Sequence, residues 1–262
     1  MNRHAADMIL VDTHCHIHDD DFGIPPTEIL AHAHENHVNK MITIGTSPDN
    51  TLQAQAFCTQ HSEVSFTFGY HPHEYQAPAT PKSAQTEVEQ FVQAHSELFD
   101  DQKLVAIGEI GLDYHYEPYD RELQIALLEA MLQVAQDHKL PVSFHVREAF
   151  EDFWPIFDNF HLPTSVLHSF SGRPDELEQG LKRGLFVGVN GLSTFATIPH
   201  APLKRIILET DAPYLTPKPF RGTINRPGYI YNIAEWAAQN YQVTLDEVAR
   251  ITTQNAENLF KI

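Results

Sequence analysis

A chain of 262 residues, 42% apolar, 20% charged and 10% aromatic, is large enough to bury a substantial core, and its composition excludes a disordered or fibrous protein. Asp and Glu number 35 against 17 Lys and Arg, a formal net charge of -18 that disfavours binding duplex DNA through a broad basic face. Histidine is also present 17 times, as often as all Lys and Arg together.

The N-terminal stretch Met1 to Asp7 is polar and leads into a short apolar run, with no signal-peptide core and no stretch long enough to span a membrane. Apolar, β-branched strands then alternate with amphipathic helices. The predicted order is strand Met8–Thr13, helix Pro26–His37, strand Lys40–Gly45, helix Pro48–His61, strand Val64–Gly69 and helix Ser83–Phe99. It continues with strand Leu104–Ile107, helix Arg121–His138, strand Pro141–His145, helix Glu148–Asn159, strand Ser165–His168 and helix Pro174–Arg183. Strands Leu185–Val189 and Arg205–Leu208 follow, and two helices close the chain near Ile230–Asn240 and Thr244–Phe260. No low-complexity linker divides it, so residues 1–262 are expected to form one domain. Eight βα units in about 250 residues match the rhythm of a TIM (β/α)8 barrel, with a doubly wound sheet as the alternative. Cys15 and Cys58 lack CxxC spacing and are too few to staple a secreted fold, which points to a reducing cytoplasm.

The polar chemistry collects at strand ends: VDTHCHIH, GYHPHE, AIGEIGLD, SFHVRE, VLHSFSG and ILETDAP. In a parallel barrel these carboxyl ends open onto one face. Alternation along a strand turns His14 and His16 to one side together with Asp12, and Thr13 and Cys15 to the other. An HxH pair alone is an ordinary coincidence in a His-rich chain; it gains weight from Glu109, His145, His168 and Asp211 at the other strand ends. Imidazole and carboxylate suit zinc, manganese and similar divalent ions. The six candidates exceed what one tetrahedral ion needs, so two divalent ions are expected.

These residues carry a resemblance. The sequence resembles the TatD family of metal-dependent deoxyribonucleases, within the amidohydrolase-like TIM barrels, through DTHCH at 12–16, GYHPH at 69–73, GEIGLDY at 108–114, HVREA at 145–149, HSFSG at 168–172 and ETDAP at 209–213. Arg221 and Gly222 with Asn225 and Pro227 complete the series. The resemblance implies that His14, His16, Glu109 and Asp211 surround one ion and that Glu109, His145 and His168 hold a second. It implies His71 near the scissile phosphate, Asp211 as general base, and hydrolysis of DNA phosphodiesters, single-stranded or at frayed ends, by a metal-activated water. Zn, Mg and Mn all remain open as the ion. The first motif departs from the family in continuing with Ile17 and His18, where many members have Leu and Asp.

Arg147 either binds a ligand or phosphate or pairs with a carboxylate at the start of the next helix. Asp12 and Asp113 either orient imidazoles or satisfy backbone groups, and Ser169 and Ser171 read as turn residues. The loop Thr216–Tyr229, with Lys218, Arg221 and Arg226, suggests a basic rim for substrate, against the alternative of a stiff loop whose Arg residues pair with acids. Among Tyr70, Tyr75, Tyr114, Tyr116, Phe170 and Phe220, some could stack on unpaired bases, and none is singled out. A two-metal hydrolase of a carboxylic ester, lactone or amide, including an aminoacyl ester, is the alternative activity, and a non-catalytic metal-binding protein the third reading. A monomer is expected, no interface motif being evident.

Overall fold

Eight short runs rich in β-branched and aromatic residues form eight parallel strands in a computed structural model that describes residues 8–74 and 80–262. Residues 1–7 and Tyr75 lie outside the described residues. The strands are β1 (Leu10–Cys15), β2 (Val38–Thr43), β3 (Val64–Tyr70), β4 (Leu104–Asp113), β5 (Val142–Arg147), β6 (Val166–Leu167), β7 (Phe186–Val189) and β8 (Ile206–Leu208). They neighbour one another in sequence order, every pairing parallel, as in a TIM barrel rather than a doubly wound sheet. The ring closes between β8 and β1 at its upper rim, where Asp211 N–H donates to His14 O and His16 N–H to Ala212 O, both at 2.8 Å.

The crossovers are α1 (Pro26–Glu35), α2 (Pro48–Gln60), α3 (Pro81–Ala94), α4 (Arg121–His138), α5 (Phe150–Phe157) and α6 (Pro174–Lys182), with α7 (Ile230–Tyr241) and α8 (Leu245–Phe260) after the last strand. Their starts follow local chemistry. Ser47, Asp120 and Thr244 each accept a hydrogen bond from the backbone N–H three residues on, and Pro at the first turn opens α1, α2, α3 and α6. None of the helices among the described residues is long and apolar enough to cross a membrane.

Beneath the site, Val11, Ile42, Val105, Val166 and Ile207 from five strands cluster with Phe260 at the end of α8, an apolar floor that keeps water from below. Asp12 is fully buried at the β8–β1 seam, where its carboxylate accepts from Thr210 N–H at 2.9 Å, Thr210 O–H at 2.5 Å and His14 N–H at 3.2 Å. Burial outweighs these bonds and pushes its carboxyl up to about 8. Asp12 thus serves the backbone.

Among the predicted boundaries that move, three have a clear local cause. Strand β4 runs six residues past Ile107, because Gly108 and Gly111 are strand residues at close approach rather than breakers. A Cβ on Gly111 would stand 1.7 Å from His145 O across the β4–β5 pair. The helix predicted to reach Phe99 stops at Ala94, His95 leaves helical geometry, and a 3-10 turn covers Ser96–Asp100. The helix predicted from Glu148 starts at Phe150, since Glu148 takes a left-handed backbone at φ 54.

Candidate metal centre

Every chemically loaded strand end arrives at the same rim. From β1 and the residue after it come His14 and His16, from the end of β3 His71, from β4 Glu109, from β5 His145, from the end of β6 His168 and after β8 Asp211. Their ligand atoms converge as three overlapping groups, each with atoms within 4.8 Å of one another: His14, His16 and Asp211; His14, Glu109 and His168; His71, Glu109 and His145.

Glu109 is the hinge of the cluster. Its Oε1 stands 2.7 Å from His145 Nδ1 and 3.7 Å from both His71 Nε2 and His168 Nε2, while Oε2 stands 3.4 Å from His14 Nε2. Asp211 Oδ1 lies 3.5 Å from His16 Nε2, 3.6 Å from His14 Nε2 and 3.8 Å from His168 Nε2. Asp211 occupies a left-handed position at φ 58, which Asp tolerates better than most residues and which turns the chain sharply after β8. His14 and His168 stack, ring centroids 3.4 Å apart.

A second tier holds these rings. Asp113 Oδ2 contacts His145 Nε2 at 2.8 Å and His73 Nε2 at 3.1 Å, and the Gln124 amide fixes Asp113 by bonding both its backbone N–H and its carbonyl. Asp113 therefore orients an imidazole, whereas Asp12 does not. Glu209, almost fully buried, faces His168 Nδ1 at 3.0 Å and accepts from Ser169 N–H at 2.7 Å and Asn190 Nδ2 at 3.3 Å. Sequence reasoning missed Glu209; the available signal was its i,i+2 relation to Asp211 within ETD. It also set His71 apart as a substrate residue, while the structure groups His71 with Glu109 and His145, and His168 with His14 and Glu109.

The charges fit a cation. Burial works to raise Glu109, but the surrounding His71, His168 and His14 outweigh it and hold the carboxylate ionised well below the usual range. Asp211 is depressed in the same way by His168 and His16. Burial drives His71 down to about 3 and lowers His14, leaving both as neutral donors. On His145 and His168 burial is outweighed instead, by Asp113 and Glu109 in the first case and by Glu209 and Glu109 in the second, so they rise to about 9 and about 10. His14 Nε2 is buried without a hydrogen-bond partner although two carboxylates face it. The neutral nitrogens of His14 and His71, 3.4–3.7 Å from the ionised carboxylates of Glu109 and Asp211, and the neighbouring His16, His145 and His168, once their protons are displaced, are the donor set of a divalent cation such as zinc or manganese.

A cavity of about 780 Å3 opens above the cluster. Arg147 lines it, as do Tyr116, Tyr214, Ser169 and Ser171. Arg221 is not brought there: its guanidinium sits 3.8 Å above the Phe195 ring and donates to Thr216 O. Arg226 pairs with Glu28 and Lys218 does not line the cavity, so the Thr216–Tyr229 loop contributes no basic rim; the lining residues nearest it in sequence are Tyr214 and Leu215, just before the loop. Tyr70 and Phe170 are buried, Tyr114 donates to Asp152 and Phe220 stacks on Tyr229.

Comparison with known proteins gives a consistent result. The model of the family described as TatD related DNase matches residues 11–261. The uncharacterized metal-dependent hydrolase YabD of Bacillus subtilis is 28% identical over 97% of this chain and 100% of its own length. The 3'-5' ssDNA/RNA exonuclease TatD of Edwardsiella piscicida is 31% identical over 90% of this chain and 93% of its own. Among solved structures, the TatD homologue YjjV of Escherichia coli K12 superposes with a TM-score of 0.83 at 28% identity, covering 97% of this chain and 98% of the other.

Proposed function

The chain belongs to the TatD-related DNase family and is a metal-dependent hydrolase; from that premise we propose that it cleaves phosphodiester bonds of single-stranded or frayed DNA as an exonuclease, acting as a monomer of one domain in the cytoplasm. The observation that carries this reading is Glu109, whose two oxygens face separate imidazole sets, His14 on one side and His71, His145 and His168 on the other. A carboxylate so placed would serve two ions: His14, His16, Asp211 and Glu109 would hold one, Glu109 and His145 the other, with His168 between them. Divalent ions at this position supply positive charge to phosphoryl oxygens and make a water acidic near neutral pH.

The chain's own residues do the rest. Asp211, ionised and set at the open side of the cluster, takes the proton of the attacking water as general base. Glu109 keeps the two halves of the site in register. His71, neutral, cavity-lining and 3.7 Å from Glu109, holds the phosphate end of the substrate, and Arg147 offers a guanidinium to its backbone. The apolar floor beneath strengthens each of these interactions by excluding water.

The test is a substrate panel on metal-loaded protein: labelled single-stranded DNA, duplex DNA, RNA and carboxyl esters, with metal content measured beside it. Cleavage of single-stranded DNA with retained ends shortening one nucleotide at a time is expected; hydrolysis confined to the carboxyl esters overturns the proposal. Asp211→Asn is expected to retain metal and lose at least 100-fold in kcat, on the order that a general base contributes, and activity near the parent's removes Asp211 from that role.

A further inference from the structure

The two most open tyrosines of the cavity stand on opposite sides of the metal cluster. Tyr116, in the loop after β4, is 57% exposed, and Tyr214, in the turn after Asp211, is 62% exposed; both line the cavity. Tyr116 reaches the cluster through His73, whose ring meets it edge-on at 5.7 Å and whose Nε2 shares Asp113 with His145. Tyr214 reaches it through His16, rings at 6.1 Å and 68°. Hydrophobic burial does not account for either ring, since each is more than half open.

Arg147 adds a second, independent observation. Its guanidinium carbon lies 4.9 Å from the Tyr116 ring centroid. Arg121, Arg173, Arg183 and Arg226 pair with carboxylates, whereas Arg147, like Arg205, Arg221 and Arg250, pairs with none among the described residues, and of these four only Arg147 lines the cavity. A half-buried cation with no acid, stacked on an open aromatic beside a cluster that fits cations, is suited to a ligand that is planar and anionic at once. A nucleotide in an unpaired strand has both properties. A base within a duplex is covered on both faces by its neighbours and has no face to offer.

We propose that Tyr116 and Tyr214 stack the nucleobases on either side of the scissile phosphate, with Arg147 on the phosphate of the nucleotide at Tyr116, so that the cavity selects strands whose bases are unstacked. The inference rests on the nucleolytic reading above and names the part of the substrate it grips. Specificity then follows from the base faces, which all four bases possess, so sequence preference is weak.

The experiment is a cycle between protein and substrate. Fluorescence anisotropy measures binding of holoprotein to a labelled, hydrolysis-resistant phosphorothioate hexathymidylate and to the same strand with one abasic nucleotide at each position in turn; KM and kcat are measured in parallel on the cleavable strands. Tyr116→Ala is expected to weaken binding of the complete strand roughly tenfold and to raise KM more than it lowers kcat, while Tyr116→Phe restores both. With the strand abasic at the position that Tyr116 covers, Tyr116→Ala and parent bind equally. Tyr214→Ala behaves likewise with the abasic position moved across the cleaved bond. Equal losses with complete and abasic strands, or failure of Tyr116→Phe to rescue, overturn the proposal. Because binding is read without cleavage, a protein that cleaves none of the nucleic acids refutes the nuclease activity, whereas base-independent binding by a protein that does cleave refutes only the stacking.

Discussion

Protons and metal compete for the same nitrogens in this site. In the metal-free protein His145 and His168 keep their protons up to about 9 and about 10, because Asp113, Glu109 and Glu209 surround them. An ion requires the neutral ring, so apparent metal affinity is expected to climb between pH 6.5 and about 9 and to level off above about 10. The sign for folding is opposite. Groups whose folded pKa lies above the unfolded value stabilise the metal-free protein fully below pH ~6.5, and that contribution is lost as pH rises through about 9 and about 10. Competition titrations against a chelator at several pH values, beside thermal melts of chelated protein, read both slopes; a pH-independent affinity contradicts the arrangement. Glu209 gives a sharper test. Replacing it with Gln removes charge from behind His168 with little change of shape, and metal affinity is expected to fall about 10- to 100-fold, as measured by metal retention in a buffered chelator. At this scale the HxH pair was legible because strand alternation dictates facing, and His145 and Asp211 because they stand at strand ends, whereas Glu209 was not. The grouping of His71 with His145 was not, since it depends on how β3, β4 and β5 are registered, and neither residue carries a local sign of that.

At the scale of elements, β4 and β5 set the geometry on which the cluster depends. Gly111 pairs with His145 and holds φ 156, so its hydrogen touches a carbonyl that any side chain would displace. Gly111→Ala is expected to cost on the order of 3 kcal/mol and to move His145 from Glu109, seen as a lowered urea midpoint together with reduced metal content. Normal metal content in a destabilised variant would detach the strand pair from the site. Strand positions were readable from apolar runs, and the starts of α1, α2 and α6 from first-turn prolines. The far half of β4 was not, because Gly108 and Gly111 look like punctuation in one dimension and become a close strand contact only in three. The basic loop misled for a related reason: Arg221 found an aromatic partner, Phe195, distant in sequence.

For the whole molecule, a net charge of -18 surrounds a cavity lined by Arg147 above side chains that could hold a metal ion. On the nucleolytic reading proposed above, a short strand would feel mainly the bound ions and Arg147, while a longer one would also run over acidic surface. At low salt, where the Debye length is about 30 Å, kcat/KM is expected to fall as oligonucleotides lengthen beyond the cavity, and the penalty shrinks at ~0.15 M, where screening acts within about 8 Å. Initial rates on a length series at two ionic strengths decide it; a length advantage at low salt would point to a basic track outside the cavity. The seam between β8 and β1 carries a last consequence. His14 and Asp211, joined by a backbone hydrogen bond there, stand on the first strand and just after the last, and Glu109 in the middle of the chain. During synthesis the N-terminal histidines therefore emerge long before the aspartate that completes their group. A metal-dependent hydrolase assembled this way is expected to stay silent on the ribosome until its eighth strand has docked.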